Sequence, residues 1–279
     1  MDKTDEFLLF EVKNRIKQAI QDNIMYAMSK GGFFDMAVLH GDKARRLQFD
    51  LEGFSGHLEF SLLKSDTDFR VESILPVIER ELADKGLEFN IEIFDKPFDF
   101  KKSVVLKKNT REVFMNLFPG DEFPESISDS DTVNVRFELN YDPPRFAGYE
   151  TKTCQYPSTY KIAMYDKPSL FAEKIDHTIS RAWMGRVRGC DLYDYVFYLL
   201  KKVPYNHKHL VDRLLKFGYV EAKDDMTLEE VKANLGYRFR EINYQEAKID
   251  LLPFIENPSE LDVWSTEYFI NITRGLTAQ

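Results

Sequence analysis

The period of the hydrophobic pattern changes near Asp166, and that change constrains the fold more than any other feature of the chain. Before it, segments that alternate every second residue are interleaved with helical ones. After it, apolar residues recur at helical spacing. Val133 to Asn140 is the cleanest strand: Val133, Val135, Phe137 and Leu139 share one face, and Asn134, Arg136, Glu138 and Asn140 share the other. Such a strand covers a core with one face and leaves the second for water or a ligand. The expectation is a mixed α/β (α+β) domain over residues 1–165, followed by a helical C-terminal region over 166–279.

The stretch Leu51–Leu62, LEGFSGHLEFSL, is the most suggestive of chemistry. A short turn, Gly53-Phe54-Ser55-Gly56, enters a strand whose Leu58, Phe60 and Leu62 point one way. His57, Glu59 and Ser61 point the other. A His and a Glu held side by side can present ligands to a metal or a phosphate, and equally suit the solvent face of an ordinary sheet. Upstream, Val12, Ile16, Ile20, Ile24 and Met28 predict an amphipathic helix over 5–30, closed by Gly31-Gly32. No Lys-Ser/Thr follows that glycine pair, so it reads as a cap rather than a phosphate loop. Ala37 to His40 is a short strand, and Gly41 turns it into a helix over 42–49 with Asp42 as N-cap. That step aims backbone N–H groups past a strand end, which suits a phosphate. Asp42 there opposes an anion unless a metal intervenes.

Further elements follow in order. A helix is expected over 71–85, strands over 87–94, 103–107, 149–155 and 160–165, and a short helix capped by Thr110. An acidic loop runs from Gly120 to Asp131. From Pro168, helices are expected over 168–182, 191–202, 206–217, 227–240 and 263–274, with a basic loop, Trp183 to Gly189, after the first. On the helix over 191–202, Leu192, Val196, Leu199 and Leu200 are expected to face the core, with Asp191, Asp194, Tyr195 and Tyr198 opposite. Lys174, His177 and Arg181 form one stripe at i, i+3, i+7.

Composition narrows the function. No apolar run approaches the ~18 residues of a membrane span. The charged N-terminus, MDKTDEFLLF, lacks a secretory pattern, and the two cysteines, Cys154 and Cys190, are far apart. Together they point to a reduced, cytoplasmic protein without a disulfide framework. A net charge of −9 disfavours a general nucleic-acid binder, and no helix-turn-helix signal supports a DNA-binding role. Local basic clusters exist at Lys43/Arg45/Arg46, at Lys101/Lys102/Lys107/Lys108/Arg111 and at Arg181/Arg186/Arg188. Carboxylates on neighbouring strands, such as Glu59 and Glu138, can hold Mg²⁺, and a Lys and an Arg can bind a triphosphate.

Five segments carry a resemblance: GGFFDMAVLHG, FSGHLEFSLL, RFELNYDPP, PSLFAEKIDHTISRAWMGRVRGCDLYDY and ELDVWSTEYF. In these the chain resembles, nearly end to end, the AbiEii/AbiGii-type nucleotidyltransferase toxins of bacterial abortive-infection and toxin–antitoxin systems. The fourth segment is the most specific, keeping Leu170, Phe171, Ala172, Lys174, Arg181, Gly189, Asp191, Tyr193 and Asp194. The resemblance implies a polymerase-β-like nucleotidyltransferase domain and transfer of a nucleotide from an NTP to an RNA such as tRNA. It also implies Mg²⁺ or Mn²⁺ and a cognate antitoxin protein as partner, with no membrane. By the same matching, Glu59, Asp191 and Lys174 would be catalytic. Gly41, Lys174, Arg181 and Asp194 would bind the nucleotide, His57, Glu59 and Glu138 would hold the metal, and Arg186–Arg188 would touch RNA.

The motifs depart from the family where catalysis is concentrated. The Gly-Gly-Thr or Gly-Ser motif reads His40-Gly41-Asp42-Lys43 here, and Asp-x-Asp reads His57-Leu58-Glu59. Ser169 stands for an Asp, and Cys190 for an Arg. The alternative to an active transferase is therefore a catalytically inactive protein of the same fold that binds nucleotide, RNA or a partner protein.

Overall fold

The computed structural model describes residues 3–51, 55–181, 188–220, 226–255 and 257–279. Gly53 and Phe54 of the expected turn, and Arg186 with most of the expected basic loop, lie outside the described residues. The chain divides into two compact units, Met1–Pro143 with Tyr149–Tyr165, and Pro144–Gly148 with Asp166–Gln279. The first is mixed α/β and the second is helical, the fold class expected from the change of period.

The first unit runs α1 (Lys3–Lys30), β1 (Ala37–His40), α2 (Gly41–Phe49), β2 (Leu58–Leu62), α3 (Leu75–Ala83), β3 (Asn90–Lys96), β4 (Lys101–Asn109), α4 (Thr110–Leu117), β5 (Thr132–Asn140), β6 (Tyr149–Cys154) and β7 (Tyr160–Tyr165). The strands form one sheet in the order β3-β4-β5-β2-β1-β7-β6. β2–β5 and β1–β7 are parallel, and the remaining pairs are antiparallel. One sheet face is apolar: register pairs Val104–Phe137 and Leu58–Phe137 lie beside Phe60–Leu139 and Leu39–Phe60. α1 packs on β5 and against α3 and α4. Its Ile16, Ile20, Ile24 and Met28 are fully buried, as the four-residue spacing predicts. Gly32 ends that helix region at a φ of 73°, which an L side chain rarely adopts.

Several boundaries differ from expectation for identifiable reasons. α2 opens at Gly41 with His40 at the N-cap. Asp42 sits in the first turn, where it pairs with Arg45 and Arg46. Asn109, not Thr110, caps α4, its side chain accepting the Glu112 N–H at 3.0 Å. The third strand begins at Asn90 rather than Leu87, where its pairing with β4 starts at Lys107. Leu87 is buried outside it.

The second unit contains α5 (Lys167–Ser180), α6 (Gly189–Leu200), α7 (His207–Lys216), α8 (Leu228–Phe239), α9 (Tyr244–Leu251) and α10 (Thr266–Thr273). α5 packs against α6 and α7. The expected buried face of α6 holds only at Leu192. Asp191, Leu192, Asp194, Tyr195 and Tyr198 are the buried ones, and Leu200 is 74% exposed. Two forces reverse the assignment that hydrophobicity alone suggests. Tyr198 stacks on Phe171 with centroids 4.9 Å apart, and Tyr195 bonds Thr273 at 2.8 Å. The two aspartates are buried because cations of α5 meet them.

Candidate active site

In the first unit, β-pairing lines up the candidate side chains. Opposite residues of paired strands project on one face. The register therefore sets Phe94, Ser103, Glu138, Glu59 and His40 in one row across β3, β4, β5, β2 and β1. The next row on that face is Lys96, Lys101, Asn140 and Ser61. Glu59 and Glu138 are direct neighbours in the parallel β2–β5 pair. Ser55, just before β2, is held from α1, where the Gln21 side-chain amide donates to its carbonyl at 2.8 Å.

Each carboxylate already has partners. Glu138 has Lys96 Nζ at 2.6 Å on one oxygen, Lys101 Nζ at 3.6 Å on the other, and Arg136 Nε at 4.0 Å. Burial, the largest influence on Glu138, acts to raise its pKa, but Lys96, Lys101 and His57 leave it below the ordinary value. Glu59 has His57 Nε2 at 3.7 Å. Its other oxygen lies so close to Gly41 that a Cβ there would collide with it. Gly41, at a φ of 70°, thus lets the carboxylate lie against the first turn of α2, where a negative charge is favoured. Burial again acts to raise the Glu59 pKa. His57, His40 and Lys101 outweigh it and hold the carboxyl well below its usual range. Among the described residues, no three His, Cys, Asp or Glu side chains are grouped to hold a metal ion.

In the second unit, the stripe on α5 meets the two acids of α6. Lys174 Nζ lies 2.8 Å from Asp194, Arg181 pairs with Asp191, and His177 Nδ1 stands 3.9 Å from Asp191. Burial pushes the Asp191 pKa up against the pull of Arg181 and Lys174. Beside them, Arg213 of α7 bridges Glu173 at 3.1 Å and Asp176 at 2.8 Å. Ser169 is committed to structure: its hydroxyl accepts the Gly148 N–H at 2.8 Å.

His177 carries a pH prediction. Burial first, then the charges of Arg181, Lys174 and Arg213, hold its pKa well below the usual 6.5. The unfolded chain therefore takes up a proton as pH falls through about 6.5, and the folded chain does not. The stability due to neutral His177 is present above that pH and is lost below it. Denaturant unfolding should show wild type losing about 1 kcal/mol more than His177→Gln between pH 6.5 and 5.5.

Lys96 and Lys101 are what sequence reasoning missed. Lys101 entered only within a basic cluster, and Lys96 not at all. A signal was present: the two lysines flank Pro97-Phe98-Asp99-Phe100, a spacing that a hairpin converts into a facing pair.

No family model matches the chain, and no curated protein matches it in sequence. Two solved structures are similar to it at 14% identity, each over 98% of this chain and 92% of the other. One is a proposed nucleotidyltransferase from H. pylori, at a TM-score of 0.44. The second is JHP933 from Helicobacter pylori, at a TM-score of 0.47.

Proposed function

We propose that this chain is a nucleotidyltransferase-like protein that holds a nucleoside triphosphate without transferring it. The resemblance of its five segments to the AbiEii/AbiGii toxins supports the ligand class. The observation that carries the loss of transfer is the state of Glu138. A Mg²⁺ or Mn²⁺ centre needs oxygen ligands free to approach the ion at about 2.0–2.1 Å for Mg²⁺. Here the Glu138 carboxylate is bracketed by two ammonium groups, and Glu59 is turned to His57 and Gly41. That donor set does not fit the metal centre the resemblance implies. On this reading Asp191, Asp194, Lys174 and Arg181 hold α5 to α6 as ion pairs.

A second reading keeps the family's activity: nucleotide transfer from NTP to an RNA such as tRNA, with a cognate antitoxin as partner. One observation favours it, the adjacency of Glu59 and Glu138 as register partners on β2 and β5. Incorporation of labelled nucleotide into total tRNA separates the two, and the RNA should stay unlabelled.

A further inference from the structure

We propose that Lys96 and Lys101 are the resident cation of this sheet face. They take the triphosphate of a nucleotide directly, in place of a divalent metal, so that binding is metal-independent. This rests on the nucleotide-holding function above and adds which groups do the holding.

The geometry of the β3–β4 hairpin carries the inference. Lys96 ends β3, Lys101 begins β4, and the two are register partners. A turn through Pro97–Asp99, completed by Phe100 at a φ of 54°, closes the hairpin. Both lysines therefore rise from the same end of the hairpin and reach the same carboxylate, one to each oxygen of Glu138. Arg136 approaches from the adjacent position on β5.

The charge there is unbalanced. Three cations surround Glu138, and the side chains of Lys96, Lys101 and Arg136 are 38%, 29% and 44% exposed against 9% for the carboxylate. The carboxylate is the most buried of the four side chains, and each cation is partly exposed. At Glu138 itself the cations outnumber the acid three to one, while Glu59, and Glu92 on the same face in the row of Arg136, balance the wider patch. Surplus cations around a buried acid need an anionic ligand more than a second cation. A divalent ion arriving here would meet like charge before it met Glu138. Ammonium and guanidinium donors suit the oxygens of a polyphosphate. Glu138 then competes with the ligand for the two lysines.

The test is calorimetric titration of the full chain with ATP and with inorganic triphosphate, in EDTA and in Mg²⁺. Both should bind in EDTA, with affinity little changed by Mg²⁺. Lys96→Met and Lys101→Met should each weaken binding roughly tenfold or more, and the arginine variants should retain it. Glu138→Gln supplies a change that misfolding cannot imitate. It removes the competing carboxylate and should tighten binding, whereas a metal centre would be weakened by it. Binding that requires Mg²⁺ and is lost in Glu138→Gln overturns the lysine assignment while leaving nucleotide holding intact. Failure of ATP and triphosphate to bind in either condition, with wild type folded, overturns the nucleotide-holding function and this inference with it.

Discussion

Replacing Arg213 by methionine should lower the stability of the helical unit by about 3–5 kcal/mol, the usual loss when one member of a buried ion network is removed. Arg213 Nε donates to Asp176 at 2.9 Å, and its Nη1 to Glu173 at 3.1 Å. The side chains of Glu173 and Asp176 are only 3% and 4% exposed. Methionine fills much of the arginine's volume, so the loss comes from two carboxylates left in a poorly solvating site rather than from a cavity. The triple variant with Glu173→Gln and Asp176→Asn removes those charges and should recover most of the loss. Denaturant unfolding at pH 7 measures both. A change under about 1 kcal/mol in the single variant would mean that the network is solvated, as surface pairs are.

Gly189→Ala sets two effects of opposite sign against each other. Helix propensity alone favours alanine over glycine by up to about 1 kcal/mol. The close approach of α6 to α9 opposes it: a Cβ at Gly189 would collide with the Ala247 carbonyl and crowd Leu251. The Gly189 N–H also donates to Asp250 at 2.9 Å, which fixes the backbone where the collision occurs. Backbone cannot yield as a flexible side chain does, so overpacking should win, with a net loss of about 1–3 kcal/mol. A stabilised variant would contradict the packing of these two helices.

What periodicity conveys about this chain is the face of an element, and it does so where burial of hydrocarbon decides the outcome. The isoleucines of α1 and the alternation of β5 belong to that class. It fails on α6, where ring stacking and ion pairing outweigh aliphatic burial. It also misses α9, whose buried residues are only Ala247 and Leu251, too sparse a pattern to register. The third strand slipped because the alternation of Leu87, Phe89, Ile91 and Ile93 continues past the point where pairing begins.

The candidate site was legible in kind but not in state. Glu59 and Glu138 show in the sequence as polar positions on apolar strands. Their adjacency depends on the parallel pairing of β2 with β5, which local pattern does not encode. Whether a carboxylate is open to a metal or closed by lysine depends on a hairpin some 40 residues upstream of Glu138, with a Lys96–Glu138 separation of 42 residues. On the proposed reading, His57-Leu58-Glu59 where the resemblance implies Asp-x-Asp and the lysine bracket on Glu138 act in the same direction. His57 takes the place of one acid, and the lysines engage another, so each lowers the negative charge left for a metal ion.

The most direct test of that account is nucleotide incorporation. Folded protein would be incubated with total tRNA and each labelled NTP in turn, with Mg²⁺ or Mn²⁺, beside Glu59→Gln. RNA should stay free of label under every condition, with wild type and variant indistinguishable. Label on RNA that disappears in Glu59→Gln would contradict it and establish a working transferase in which His-x-Glu serves for Asp-x-Asp.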